Sequence, residues 1–179
     1  MPKPTWPSEQ RVFEGVRFDV MAVGYPRRGG GEQRREVVVP ADAVVVLPVL
    51  DDDRVVLIRN ERFAVGETLW ELPAGTVEEG EDPDACAGRE LTEETGYTAE
   101  RIVRLTRFYS SPGFCTEQMT LYLAQGLAFE GQNLDETERI VVEPVSWDEA
   151  MAMTADGRIC DAKTIAGLLF YAQFVRGRG

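Results

Sequence analysis

The sequence contains no histidine. That absence excludes Ser-His-Asp triads, HExxH metalloprotease helices and imidazole proton shuttles, so any general base must be a carboxylate, a lysine, a tyrosine or an activated water. Cysteine is scarce as well. Cys86, Cys115 and Cys160 are far apart and form no CxxC pair, which gives neither a disulfide framework nor a zinc site. No apolar run approaches the ~18 residues of a membrane span, and the opening stretch MPKPTWPSEQ lacks the apolar centre of a signal peptide. A soluble, cytoplasmic protein with no membrane partner is expected. Basic charge is also short, with 19 Lys and Arg against 31 Asp and Glu and a net charge of −12. Such a chain repels a nucleic-acid backbone, and no basic stripe offsets the repulsion. If the substrate carries phosphates, bound cations must supply much of the attraction.

What the chain does have is enough apolar material, 44% of 179 residues, to bury a substantial core in one globular domain. Strand-like runs alternate with turn signals: Val12 to Gly24, a bend over Pro26 to Gly31, Arg35 to Val39, Ala43 to Leu50, an Asp51-Asp52-Asp53 turn, Val55 to Arg59 and Leu69 to Leu72. Further runs follow at Ile102 to Tyr109, Met119 to Ala124 and Ile140 to Pro144. The last third turns helical, with Ser146 and Asp161 as N-caps and an apolar stripe from Ala162 to Val175. Strands on both sides of a central helix, with another helix last, argue for an α/β sandwich with a mixed sheet. Residues 1–39 read as an antiparallel strand arm that packs on a partner subunit, and residues 40–179 as the main globular domain.

The densest signal is GTVEEGEDPDACAGRELTEETGY, from Gly75 to Tyr97. Asp82 and Pro83 form a helix start, and Gly96 is a C-terminal glycine, so one helix is expected from about Pro83 to Thr95. At about 100° per residue, Glu90, Glu93 and Glu94 share one face. Like charges this close repel unless a cation sits between them. Clustered carboxylate oxygens select hard cations, Mg²⁺ first, with Mn²⁺ or Ca²⁺ next. Arg89 is placed to hold one of these glutamates in a fixed rotamer. A solvated acidic face is the plainer alternative for a charge run, and the fixed spacing of Gly75, Glu81, Arg89, Glu90, Glu93, Glu94 and Gly96 argues against it.

Glycine, five residues, glutamate, seven residues, then R-E-apolar-x-E-E-x-G-bulky is the Nudix box, and the chain matches it without a mismatch. It therefore resembles the Nudix hydrolases, which cleave a nucleoside diphosphate linked to another moiety and carry the α/β/α sandwich of that family. Trp70-Glu71-Leu72-Pro73-Ala74-Gly75 before the box, with Ser111-Pro112-Gly113 and Glu117 after it, resemble the ADP-ribose pyrophosphatase branch. That resemblance implies metal binding by the Ala74 carbonyl, Glu90, Glu93 and Glu94. It implies catalytic roles for Arg89, Glu90 and Glu94. The acidic loop Leu134 to Glu138 is similar to the family's catalytic loop, which implies Glu136 as general base and Glu138 as a further metal ligand; an ordinary solvated turn is the plainer reading. Substrate contacts are implied for Arg35, Glu36, Arg62, Thr76, Ser111, Pro112, Gly113 and Glu117, several of them across a homodimer; Arg35, Glu36 and Arg62 also read as ordinary surface charges, and Pro112-Gly113 as a plain turn between strands.

The chain departs from the branch in two places. No aromatic follows Gly15 directly, with Phe18 the nearest ring, and Asn60-Glu61 replace the usual glutamine and tyrosine. Both bear on the adenine, so a GDP-hexose or another nucleoside diphosphate sugar is the alternative substrate to ADP-ribose. A non-catalytic nucleotide-sensing module would be expected to lose box glutamates, and every one is present. An isopentenyl diphosphate isomerase-like enzyme requires metal-binding histidines that the chain does not have, and RNA decapping fits poorly with the acidic surface.

Overall fold

The computed structural model describes residues 4–134 and 139–177. In chain order they form β1 (Glu9–Phe13), β2 (Phe18–Pro26), β3 (Glu32–Pro40), β4 (Ala43–Pro48), β5 (Arg54–Arg62), β6 (Glu67–Glu71), β7 (Ala74–Thr76), α1 (Pro83–Thr95), β8 (Tyr97–Tyr109), β9 (Gln118–Phe129), β10 (Ile140–Ser146), α2 (Trp147–Asp156) and α3 (Ala162–Phe174). Two compact units result, one holding β1 to β3 with Phe108–Gln118, the other holding Ala43–Arg107 and the chain from Met119 onward.

In the second unit the apolar run Val44-Val45-Val46-Leu47 lies inside β4 with all four side chains fully buried. A strand covered on both faces needs no polar alternation, which explains the continuous run. β4 is the hinge of a four-stranded sheet ordered β7-β4-β9-β8, antiparallel to β7 and parallel to β9, and so the sheet is mixed as expected. A three-stranded antiparallel sheet, β10-β5-β6, completes this unit. Val44 and Val46 on β4 and Tyr122 and Ala124 on β9 form one core cluster with Cys86, Ala87 and Leu91 of α1. Full burial of Leu91 alone contributes about 1.5–3 kcal/mol relative to exposure.

α1 has the expected bounds. Asp82 accepts from the Asp84 amide at 3.0 Å, Pro83 occupies the first turn, and Gly96 ends the helix at φ 75°, a left-handed conformation that favours glycine. Ser146 and Asp161 cap α2 and α3 by accepting from the Glu149 and Thr164 amides. No helix among the described residues is long and apolar enough to cross a membrane.

Two local expectations fail. The run Val12 to Gly24 is not one strand: the chain reverses after Phe13, and β1 and β2 pair antiparallel with Phe13 opposite Val20. The turn is only the four residues Glu14-Gly15-Val16-Arg17 between strand-like runs, so periodicity alone does not reveal it. β7 is absent from the sequence reading because three residues, Ala-Gly-Thr, carry no strand signal of their own. In the first unit β1, β2 and β3 form an antiparallel sheet. The segment Phe108–Gln118 joins it through β3, where the Val38 amide donates to the Phe114 carbonyl at 2.8 Å and the Thr116 amide donates to the Val38 carbonyl at 3.0 Å.

Candidate active site

Helix α1 carries the acidic side chains on a flank that faces inward. Cys86, Ala87, Glu90, Leu91, Glu94 and Thr95 are its buried residues, at the four-residue spacing that keeps side chains on one face. Leu91 and Ala87 anchor that face in the core, and the anchoring carries Glu90 and Glu94 into the protein with 8% and 4% exposure. Glu93 lies at the edge of the same flank and is half-buried. Cys86, buried among them, has its thiol pushed up to about 12, chiefly by burial and then by the Glu81 carboxylate.

Strand β7, where the box begins, receives both buried carboxylates. The Ala74 amide donates to Glu94 Oε2 at 2.8 Å. Glu90 packs over Gly75 so closely that a Cβ there would lie 1.9 Å from the Glu90 Cδ. Two carboxylates therefore converge on the Ala74-Gly75 backbone. The segment after β9 closes over the other end of the helix: Gln132 Nε2 donates to the Glu94 carbonyl at 2.6 Å, and the Asn133 amide donates to the Glu93 carbonyl at 3.1 Å.

Arg89 organises the remaining acid groups. Its Nε and Nη2 donate to the two Glu81 oxygens at 2.9 and 3.1 Å, and its Nη1 donates to both Glu90 Oε1 and Glu93 Oε2 at 2.8 Å. Charge-assisted forks of this kind are the stronger class of hydrogen bond. They hold the Glu81 carboxyl down to about 2, with the Glu78 amide assisting, and raise the Arg89 guanidinium further above its ordinary value. The three box glutamates expected to form a ready cluster are thus divided by a guanidinium. Among the described residues no three of Cys, Asp and Glu converge closely enough to hold an ion by themselves. The cation that relieves the like-charge repulsion in this arrangement is Arg89.

The donor chemistry nonetheless suits a hard divalent ion. Mg²⁺ takes one or two carboxylates and completes its shell with water and substrate phosphate, and the Glu90-Glu94 pair beside the Ala74-Gly75 peptide offers that set of oxygens.

The other expected site residues divide between the two units. Arg62, at the end of β5, belongs with the box: Nε and Nη2 donate to Glu71 Oε1 and Oε2 at 2.7 and 2.6 Å, and its charge is favoured first by Glu71 and also by Glu94. Thr76 has an exposed side chain, and its carbonyl accepts from Arg89 Nη2 at 3.3 Å. Arg35 and Glu36 are exposed on β3. Ser111, Pro112, Gly113 and Glu117 lie in the loop stitched to the same strand, with the Ser111 carbonyl accepting from the Cys115 amide at 2.9 Å and the Glu117 carbonyl accepting from the Ser110 amide at 3.3 Å. Those six residues share the first unit. Glu136 and Glu138 lie outside the described residues.

Sequence reasoning gave no role to Lys163 and saw Asp161 only as a cap. Lys163 is buried and donates to Glu71 Oε2 at 2.5 Å and Asp161 Oδ2 at 3.0 Å. A lysine opening an apolar helix was the available signal, and nothing in the sequence pairs it with a glutamate so far upstream.

Residues 39–168 match the NUDIX domain. The chain is 36% identical over 159 residues to the ADP-ribose pyrophosphatase of Bacillus subtilis (strain 168), covering 88% of this chain and 86% of that protein. It is 35% identical over 165 residues to the methanol dehydrogenase activator of Bacillus methanolicus, covering 90% and 88%. The crystal structure of an ADP compounds hydrolase superposes with a TM-score of 0.86 at 25% identity, covering 100% of this chain and 97% of the other.

Proposed function

The chain belongs to the NUDIX family, and on that premise we propose that it hydrolyses the diphosphate bond of ADP-ribose to AMP and ribose 5-phosphate with Mg²⁺ as its ion. Mn²⁺ is the substitute. The observation that carries the reading is the convergence of Glu90 and Glu94 on the Ala74-Gly75 backbone of β7, in a chain alike over most of its length to an ADP-ribose pyrophosphatase.

Glu90, Glu94 and the Ala74 carbonyl would hold the ion, with Glu93 beside them and Glu138 as a further ligand. When bound, a divalent cation supplies charge neutralisation on the diphosphate and a more acidic attacking water. Glu136 takes the proton of that water as general base. The water oxygen adds to one phosphorus, the bond from that phosphorus to the bridging oxygen breaks, and the bridging oxygen leaves on the other phosphate. Arg89 holds Glu90 and Glu93 in place through Nη1. Arg62 presents a guanidinium to the diphosphate, where its planar fork suits phosphate oxygens. Arg35, Glu36, Thr76, Ser111, Pro112, Gly113 and Glu117 contact the nucleotide and ribose.

The working unit is a homodimer assembled through the strand arm. Val12, Phe13, Val16, Phe18 and Tyr25 are exposed apolar side chains on or beside β1 and β2, which supports that placement. Free thiols at Cys86, Cys115 and Cys160 suit a reducing cytoplasm.

The second substrate reading, a GDP- or other nucleoside diphosphate sugar, rests on the missing aromatic after Gly15 and on Asn60-Glu61. A panel of nucleoside diphosphate sugars with Mg²⁺, scored for nucleoside monophosphate release, decides between them. Preferential AMP release from ADP-ribose is expected. Preference for a guanine or uracil substrate moves the assignment to the alternative, and no turnover of any member overturns the enzymatic reading.

A further inference from the structure

Glu71 has 1% of its side chain exposed, yet it carries a full carboxylate. Arg62 and Lys163 compensate that burial and outweigh it, leaving the carboxyl below its usual range. An acid sealed this deeply is costly unless every oxygen is paired. Here both are paired, to groups from two separate elements. Arg62 reaches down from the end of β5, with Nε 2.7 Å from Oε1 and Nη2 2.6 Å from Oε2. Lys163 reaches across from the first turn of α3, with Nζ 2.5 Å from Oε2.

Asp161 holds the lysine in turn. Asp161 Oδ2 accepts from Lys163 Nζ at 3.0 Å, from the Thr164 amide at 3.0 Å and from Thr164 Oγ1 at 2.6 Å. Thr164 Oγ1 in turn accepts from the Leu72 amide at 2.8 Å, which ties α3 to the segment leading into Ala74. Two acids and two bases balance, so the set adds no net charge to the interior.

The geometry at Arg62 is asymmetric. One edge of the guanidinium is locked on Glu71, while 38% of the side chain remains exposed. An arginine tethered along one edge presents its remaining N–H donors in a fixed direction and gives up little rotamer freedom when it meets an anion. Lys163 draws on the same Glu71 oxygen as Nη2 does. That sharing leaves more of the guanidinium charge for a ligand than a simple ion pair would.

We propose that Glu71 and Lys163 are positioning residues for the diphosphate: together they hold Arg62 with its free edge turned to the substrate. The inference rests on the assignment of Arg62 to the substrate given above, and it adds two residues that never touch the substrate themselves.

The test is steady-state kinetics with ADP-ribose and Mg²⁺ on wild type, Arg62→Ala, Glu71→Gln, Lys163→Met, Lys163→Arg and the double variants in the Arg62→Ala background. Calorimetric affinity for ADP-ribose without a divalent ion is the second readout. Glu71→Gln and Lys163→Met are each expected to raise KM about three- to tenfold, with kcat changed less than KM. Lys163→Arg restores the wild-type KM. In the Arg62→Ala background neither substitution raises KM or weakens binding further. An equal rise in both backgrounds overturns the proposal, because the two residues then act without Arg62. So does an unchanged KM in Glu71→Gln, or in Arg62→Ala, while wild type turns over. If Glu71→Gln does not fold, Lys163→Met in the two backgrounds decides by the same criteria. A wild type that hydrolyses no nucleoside diphosphate sugar, yet binds ADP-ribose in a manner weakened equally by Arg62→Ala and Glu71→Gln, overturns the enzymatic reading and leaves this one standing.

Discussion

Gly75 leaves the space that the Glu90 carboxylate occupies: a Cβ on residue 75 would fall 1.9 Å from Cδ, 2.0 Å from Oε1 and 2.2 Å from Oε2 of Glu90. The two residues are far apart in sequence, and the first position of the box is thereby explained by the position of one of its acids. The atoms met are the far end of a side chain, so a methyl group at residue 75 is accommodated by moving the Glu90 carboxylate out of its position.

Gly75→Ala must therefore displace Glu90 while leaving the core cluster of Leu91, Ala87 and Val44 untouched. The expected result is a kcat reduced by about tenfold or more, since misplacing a positioned group by about 1 Å costs rate steeply. Circular dichroism of the variant should match wild type. Wild-type turnover in Gly75→Ala would show that Glu90 is free to move without consequence.

Glu90→Gln and Glu94→Gln remove charge and keep shape. Each should lower kcat by about a hundredfold or more, because an ion's stabilisation of developing charge is worth several kcal/mol. Removal of divalent ions with EDTA should abolish turnover, and Mg²⁺ should restore it. Glu136→Gln should lose rate and keep Mg²⁺ binding by calorimetry; if Glu138→Gln is the more damaging change, the two loop roles are exchanged.

Acid stability should report the Arg89-Glu81 fork. The Glu81 carboxyl stands at about 2 in the folded protein, held down by Arg89 and by the Glu78 amide, against about 4.3 in an unfolded chain. A depressed carboxyl stabilises the fold fully above the unfolded value, and that contribution fades as pH falls toward 2. Glu81→Gln should thus melt below wild type near neutrality, and the gap in Tm should narrow between about pH 4.3 and 2. A gap that stays constant across that range would remove Glu81 from the acid-sensitive set.

Leu91→Ala tests the anchor rather than the chemistry. Leu91 is fully buried between Val44, Val46 and Tyr122, so truncation should cost about 2–5 kcal/mol in urea unfolding. A loss below 1 kcal/mol would mean the helix collapses into the gap, at odds with a tightly filled cluster.

Much of this was open to inspection in the linear chain because the determinants are local. Asp82-Pro83 and Gly96 set the limits of α1 through contacts within a few residues of themselves, and the helical repeat alone brings Glu90, Glu93 and Glu94 to one flank. The N-caps at Ser146 and Asp161 belong to the same class. The short strand Ala74–Thr76 was hidden because pairing with β4, far upstream, creates it, and the hairpin that splits Val12 to Gly24 because strand-like residues flank a turn of only four residues.

By itself, then, the order of residues determined the box helix, its acidic flank and the class of ion that flank suits, because periodicity and capping act within a turn or two of helix, while the hydrolase family was legible through the resemblance of Gly75 to Tyr97 to the Nudix box. Only tertiary structure decided that Arg89 bridges Glu90 and Glu93, that the Ala74-Gly75 backbone of β7 receives Glu90 and Glu94, and that Lys163 shares Glu71 with Arg62. Those contacts join groups that no local rule relates. They arise because a buried charge must find its partner wherever the packed chain brings one within reach.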